Sequence, residues 1–478
     1  MSRTRLIGLL LGPLFALVML LMPPPDGLSA QGWRTAIIVV WMAIWWMSEA
    51  MPLAVTALLP LACFPILGIA SMADTATGYA HPLIFLFLGG FILARAMHVW
   101  SLDRRIAHGV VGHIGTDPRL IIGACMVVTA FLSMWVSNTA SAMVMLPIGH
   151  SILSASVRTG GRTTNDFAPA LMLGIAYAAT IGGMATLIGT PPNALFAGYM
   201  SAAHGIEIGF ARWMSVGVPM VLIMLPLTWL VLTRIAFRIP RNSITPSGGS
   251  WSDAAAPIGP ITKGERRVAI LILMTAMAWI TRPLIDSLVP GIAITDAGIA
   301  VIAAILAFAI PVDLGRGRFL LSWSEATEIR WDVLILFGGG LALANAISTS
   351  DLDSWIGGGI AALEGIPVFP LLLLVGIFVV FVGELASNTA MAAVLLPIAG
   401  AAAVLTGTSP QLLTLSVALF ATLGFMLPVA TPPNAIVFGT GAVSMGHMIR
   451  AGLILNGIGI FVVTIVALTF SRFVFSGA

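Results

Sequence analysis

Charge is what this sequence has least of. Asp, Glu, Lys and Arg together make up 9% of its 478 residues, where a soluble domain carries roughly 25%. Too little polar surface is available to cover a water-soluble globule, so lipid must be the solvent for most of the exterior. Lysine is nearly missing. Lys263 is the only one among 22 basic residues, and the net charge of +3 is spread over loops without a stripe that would suit nucleic acid. Cysteine is scarce too. Cys63 and Cys125 both lie inside apolar runs, so neither a disulfide framework nor a metal cluster is indicated. The seven His residues show no ligand spacing.

What the sequence does have is hydrophobic length. Apolar residues make up 59% of it and the mean hydropathy is +1.04. A helix needs about 20 apolar residues to cross the hydrocarbon core. Runs of that kind lie near 6–22, 34–48, 52–70, 82–100, 166–188, 212–235, 267–288, 293–311, 331–350, 411–429 and 450–471, eleven expected spans. The opening MSRTR and the run after it have the outline of a signal peptide, but no small-x-small site precedes Pro23, so a retained first span is expected. Two further apolar stretches, 118–156 and 366–406, are too long for one helix, and a polar triplet breaks each in the middle.

The basic residues set the topology. With Arg3 and Arg5 inside, Arg95, Arg104, Arg105, the loop from Arg238 and Arg241 to Lys263, Arg266 and Arg267, then Arg316, Arg318, Arg330 and Arg450 also fall inside. The pattern holds only if 118–156 and 366–406 each enter and leave on one face. The first would open inside, near Arg158 and Arg162, and the second outside, near Asp351, Asp353 and Glu364. They are predicted to be re-entrant hairpins on opposite faces.

An internal repeat points the same way. FLSMWVSNTASAMVMLPIG at 131–149 returns as FVGELASNTAMAAVLLPIA at 381–399, and LIFLFLGGFILARAM at 83–97 as VLILFGGGLALANAI at 333–347, both at an offset of 250 residues. GTPPNALFAG at 189–198 returns as ATPPNAIVFG at 430–439. An odd number of crossings separates the halves, so the repeat is inverted, as in many secondary transporters. The chain divides into a first span and loop at 1–33, a first repeat at 34–238, a Pro/Ser/Gly-rich cytoplasmic linker at 239–263 and a second repeat at 264–478. The expected fold is all-α and polytopic.

Four interruptions carry the chemistry. Ser137-Asn138-Thr139 and Ser387-Asn388-Thr389 sit mid-hairpin, while Thr190-Pro191-Pro192-Asn193 and Thr431-Pro432-Pro433-Asn434 interrupt spans. Proline removes an amide donor and breaks the helix before it. Broken backbone in hydrocarbon is tolerated only where protein buries it or it lines a wet cavity. One SNT triplet alone would be read as a helix bonding back to itself or gluing a neighbour. Duplicated and in register, the breaks imply one central cavity instead. New helices begin after each break, offering free amides and a positive dipole end to an anion, while freed carbonyls and Asn or Ser oxygens suit Na⁺. No Lys or Arg adjoins any break in the sequence, so bound cations would have to offset an anion's charge. Glu49 and Glu384 are acids within or beside apolar segments, and so are functional suspects. Gly89-Gly90 and Gly338-Gly339-Gly340 are read as close-packing sites rather than phosphate loops.

The paired SNT and TPPN motifs, with SEAMPLAVTALLPLACFPILGI at 48–69 and HPLIFLFLGGFILARAM at 81–97, resemble the divalent anion:sodium symporter family over about residues 30–472. The resemblance implies a homodimer of bacterial inner-membrane protomers with the N-terminus cytoplasmic. Each protomer would have eleven transmembrane helices, two hairpins and an elevator-like division into scaffold and transport domains. It implies substrate binding by Ser137, Asn138, Thr139, Ser387, Asn388 and Thr389, completed by Thr190, Thr431 and Pro432. One sodium site would use Ser133, Ser137, Asn138 and Gly189, and a second Gly383, Ala386, Asn388 and Ala430. At the 250-residue offset Ser133 pairs with Gly383, where the family commonly has a hydroxyl, and this places the second site in question. The expected activity is sodium-coupled symport of a C4-dicarboxylate such as succinate, malate or fumarate, and the protein is not expected to be an enzyme. Sulfate or citrate transport and sodium-independent exchange remain open within the family, and an ion channel is the alternative from another class.

Overall fold

The computed structural model describes residues 3–111, 116–158, 166–240, 259–288, 294–359 and 365–475. Most of the expected linker at 239–263 lies outside these residues, as do Arg162, Arg241 and Glu364 of the charge pattern.

Helices account for most of the described residues and nearly all of their regular secondary structure. The first half runs α1 (Arg3–Leu21), α2 (Ala30–Ser48), α3 (Leu53–Thr56), α4 (Leu59–Leu67), α5 (Met72–Tyr79), α6 (Pro82–Val99), α7 (Leu102–Val111), α8 (Pro118–Ser133), α9 (Asn138–Arg158), α10 (Phe167–Gly183), α11 (Pro191–His204) and α12 (Phe210–Leu230), which ends in a π-turn at Val231–Ala236. The second half begins with α13 (Lys263–Leu288) and α14 (Asp296–Ala309). A small antiparallel pair, β1 (Pro311–Asp313) with β2 (Arg318–Phe319), and α15 (Trp323–Ala326) follow. Then come α16 (Trp331–Thr349), α17 (Leu352–Gly359), α18 (Val368–Gly383), α19 (Asn388–Leu405), α20 (Pro410–Thr422), α21 (Pro432–Gly439) and α22 (Met445–Phe475).

By length and composition, five helices among the described residues can cross a membrane: 72–99, 210–236, 263–286, 331–349 and 445–471. Leu10, Leu222, Leu273, Ile302 and Phe378 stand exposed on the outside, the arrangement of a surface solvated by lipid tails.

Two expected spans are broken. The run at 52–70 forms α3 and α4 instead of one helix. Pro60 has no amide to bond the Thr56 carbonyl one turn back, so the helix stops and restarts. The run at 411–429 stays helical only to Thr422, and the next nine residues are held by side chains described below.

Glycines let the helices approach. A Cβ on Gly89 of α6 would lie 2.4 Å from the Ala300 carbonyl oxygen of α14, and one on Gly339 of α16 would lie 2.2 Å from that of Ala57. These contacts support the packing role read from both glycine runs.

Three of the arginines assigned to the inside meet at one end of α6. Arg95 pairs with Glu328, Arg105 binds Glu265 at 2.7 Å, and Arg318 lies 4.9 Å over the Trp100 ring. At the opposite end Asp296 accepts from Phe210 N at 2.7 Å and faces Arg282 at 3.3 Å.

Candidate functional site

Both polar triplets lie where a helix stops and restarts. α8 ends at Ser133 and α9 starts at Asn138, with Ser137 Oγ accepting the Ala140 amide at 3.3 Å. In the second repeat α18 ends at Gly383, Ser387 sits in extended backbone, and α19 starts at Asn388. Each arm before the break, α8 and α18, has 16 residues. That is about 24 Å of helix, short of the roughly 30 Å core.

The proline breaks are built alike. Thr190 (φ −145°, ψ 144°) and Thr431 (φ −140°, ψ 146°) precede α11 and α21, each with proline in its first turn. Buried asparagines then staple each break. Asn193 Nδ2 donates to Gly183 O (3.0 Å) and Thr186 O (2.8 Å), and Asn434 Nδ2 donates to Gly424 O (3.0 Å) and Leu427 O (3.1 Å). The bonds match at an offset of 241 residues. Trp213 Nε1 also donates to Met184 O at 2.9 Å, and Tyr177 Oη to Phe425 O at 2.7 Å, tying the first repeat to the second break.

All four breaks face one cavity of about 350 Å³, within the roughly 300–1,000 Å³ of small-molecule sites. Both SNT triplets line it in full, together with Gly189, Thr190, Pro191, Ala430, Thr431 and Pro432. Every expected substrate residue is therefore on its wall. Past Ser387 and Thr431 the space continues into a wider cleft of about 1,010 Å³ that reaches Arg5 and Glu49.

Several wall residues come from elsewhere in the chain. Arg330 and Asp332 line the cavity and form a bidentate pair, Nε to Oδ1 at 2.9 Å and Nη2 to Oδ2 at 2.8 Å. The bond to Asp332 pushes the arginine's pKa up further. Glu49, in left-handed backbone at φ 48°, pairs with Arg5 at 2.7 Å. Both cations thus arrive with a carboxylate, and the wall stays close to neutral. Phe87 and Phe91 add an apolar side. Nothing in the local sequence marks Arg330, Asp332 or the phenylalanines as cavity residues. Asn193 and Asn434 did carry a signal, since they sit inside the duplicated TPPN.

The residues of the first expected cation set converge. One terminal atom of the Asn138 carboxamide lies 2.8 Å from Ser133 Oγ and 3.2 Å from both Gly189 O and Ala179 O. With nitrogen there, the amide satisfies the carbonyls by itself. With oxygen there, four oxygens meet, and a small hard cation is what would hold them together. Ser137 lines the cavity next to this group.

The second set is leaner. Asn388 Nδ2 donates to Thr422 O at 3.2 Å, while its buried Oδ1 has no hydrogen-bond partner among the described residues. That oxygen points at Gly424, whose Cβ position would lie 3.4 Å from it and 3.1 Å from Ala430 Cβ. Ala386 is buried close by in the same break. Gly383 brings no side chain, and a Cβ there would meet only Met391 Cγ at 3.9 Å.

Glu384 is the remaining polar group. It is buried and serves the proline break, accepting the amides of Phe425 and Met426 on Oε1 (both 2.8 Å) and of Leu427 on Oε2 (2.9 Å).

Paired helix breaks closing on a near-neutral cavity, in a bundle whose outer surface is apolar, define a secondary transporter. The sequence profile described as the sodium:sulfate symporter transmembrane region matches residues 3–476, and the chain belongs to that family, as the paired motifs anticipated. It is 40% identical over 469 residues to the sodium-dependent dicarboxylate transporter SdcS of Staphylococcus saprophyticus, covering 97% of this chain and 90% of that protein. SdcS of Staphylococcus aureus is also 40% identical, over 472 residues, with 97% and 91% covered. Among solved structures the fold is similar to the YdaH transporter of Alcanivorax borkumensis, with a TM-score of 0.60, 14% identity and 91% and 98% of the two chains covered. MtrF of Neisseria gonorrhoeae aligns at 0.60 and 13%, with 95% and 97% covered. At such identities these two likenesses concern the fold alone.

Proposed function

We propose that this protein takes up a C4-dicarboxylate such as succinate, malate or fumarate by symport with sodium. The observation that carries the reading is the meeting of both SNT triplets on one cavity with no unpaired cation on its wall among the described residues. A dicarboxylate has two anionic ends a short carbon chain apart, and each triplet offers hydroxyl and amide donors to one end. With Arg5 and Arg330 already paired, the dianion's charge falls to co-bound cations. The SdcS proteins of Staphylococcus are named as sodium-dependent dicarboxylate transporters, which supports both halves of the proposal.

In this reading Ser137, Asn138, Thr139, Ser387, Asn388 and Thr389 hold the carboxylates, and Thr190, Thr431 and Pro432 close the pocket. One sodium binds Ser133, Ser137, Asn138 and Gly189. It turns the Asn138 oxygen inward and frees its nitrogen for substrate. A second binds at Gly383, Ala386, Asn388 and Ala430, where the unpartnered Asn388 oxygen supplies the side-chain ligand.

The short α8 and α18 support two re-entrant hairpins within eleven spans, with the N-terminus cytoplasmic. The wide cleft runs toward Arg5, so the cavity opens on the arginine-rich, cytoplasmic face. Hairpins and broken helices would then move as one body against a scaffold, in an elevator cycle, and two protomers would pair through their scaffolds in the bacterial plasma membrane. Crosslinking or native mass in detergent tests the dimer.

Succinate uptake into proteoliposomes with and without a sodium gradient tests the function. Accumulation driven by sodium is expected. Counterflow that ignores sodium would favour an exchanger, and preference for sulfate or citrate would reassign the substrate. Currents beyond a carrier's turnover in planar bilayers would indicate a channel.

A further inference from the structure

Glu384 has a chemical partner set unlike anything at the matching position of the first repeat. The residue is 3% exposed. It accepts the three amides of Phe425, Met426 and Leu427, and Asn456 Nδ2 donates to Oε1 at 2.7 Å. Four N–H donors aimed at one carboxyl suit its ionised form. Yet no Lys, Arg or His among the described residues forms an ion pair with it. A buried charge held by dipoles alone leaves net negative potential around it.

At the 250-residue offset Glu384 corresponds to Met134. There the first repeat joins hairpin to proline break with neutral groups. Thr186 Oγ1 donates to Met134 O at 2.5 Å, and Ser133 Oγ to Ala179 O at 2.6 Å. The second repeat joins the same two segments through a carboxylate and three amides. The two asymmetries sit side by side. Where the first repeat has a hydroxyl ligand and a neutral clasp, the second has Gly383 and a charged clasp.

The clasp also touches the second cation set. Phe425, held by Glu384, follows Gly424, which faces the unpartnered Asn388 oxygen and Ala430. The Asn434 staple holds Gly424 and Leu427 from the other side.

We propose that Glu384 is the positioning residue of the second sodium site: its fixed charge clasps the 423–431 break to the hairpin and offsets the cation, taking the part that a hydroxyl at position 383 would otherwise fill. This rests on the sodium-coupled reading above. Glu384 touches neither substrate nor cation; it acts through Asn388 and the 424–427 backbone.

The test is sodium activation of succinate uptake in proteoliposomes, comparing the unaltered protein with Glu384→Gln and with Gly383→Ser/Glu384→Gln. A unit charge several ångströms from a cation in a protein interior changes its binding on the order of tenfold. Glu384→Gln should therefore raise the half-saturating sodium concentration about tenfold, while the succinate KM at saturating sodium stays within about threefold of the parent value. The added serine hydroxyl should recover part of the loss. Folding is read by gel filtration and melting temperature. Unchanged sodium activation in folded Glu384→Gln overturns the proposal. So does a rise in succinate KM with sodium activation untouched, the signature of a merely structural role. If Glu384→Gln does not fold, Glu384→Asp carries the test, since one methylene less cannot reach all three amides. Several-fold weaker sodium activation is then expected, and unchanged activation overturns the idea. Uptake by the unaltered protein that ignores sodium would remove the symport reading itself, and this inference with it.

Discussion

Phe87 of α6 packs its ring edge-on against Phe337 of α16, with centroids 4.8 Å apart and planes at 72°. The two residues are the same position of the repeat, 250 residues apart, so the internal symmetry brings a residue into contact with its own counterpart. Phe87 also lines the central cavity. The contact is thus part of the wall and the place where the two halves meet.

Each ring is almost fully buried. Truncating either one, Phe87→Ala or Phe337→Ala, should cost about 3–5 kcal/mol. Because both changes empty the same space, the double variant should lose less than the sum. Melting temperatures in detergent across this cycle check the expectation, and strict additivity would refute a shared contact.

Asn138 and Asn388 each join a hairpin tip to the neighbouring break. Asn138→Ala or Asn388→Ala should abolish succinate uptake while the protein still elutes as a folded species. Wild-type uptake in both variants would remove these residues from the site.

Gly383 has room for a side chain, since only Met391 Cγ comes near its Cβ position. Gly383→Ser in the unaltered background should add an oxygen to the second cation set and lower the half-saturating sodium concentration several-fold. Sodium titration of uptake reads this directly, and weaker activation would mean the hydroxyl does not face the site.

Arg330 and Asp332 cancel on the cavity wall. Arg330→Gln leaves the aspartate uncompensated and should raise the succinate KM on the order of tenfold, while Asp332→Asn should lower it. Both effects should shrink at high ionic strength, as exposed charge interactions do. KM values that do not respond to these changes at low salt would show that the pair is remote from the anion's path.

Much of the site was legible in the sequence because it is written twice. Ser-Asn-Thr and Thr-Pro-Pro-Asn break helices through local chemistry, and duplication in register distinguishes them from ordinary polar residues in membrane helices. The asparagine staples at 193 and 434 follow from that duplication. The break within 52–70 was less visible, since Pro60 stands in a run whose hydrophobicity is uninterrupted.

The sequence by itself determined the lipid-facing composition, the two repeats, the four interruptions and the polar groups those interruptions bring to one central cavity. These are properties of composition, spacing and backbone covalent chemistry, and they need no partner in space. Only the tertiary structure decided that Arg330 reaches the central cavity already neutralised, that Arg5 meets Glu49 in the cleft beyond it, and that Glu384 grips the amides of 425–427 some forty residues away. The physical reason is range. A helix break is dictated by residues within one turn, whereas the environment of a charge is dictated by whatever the fold carries to within hydrogen-bonding distance.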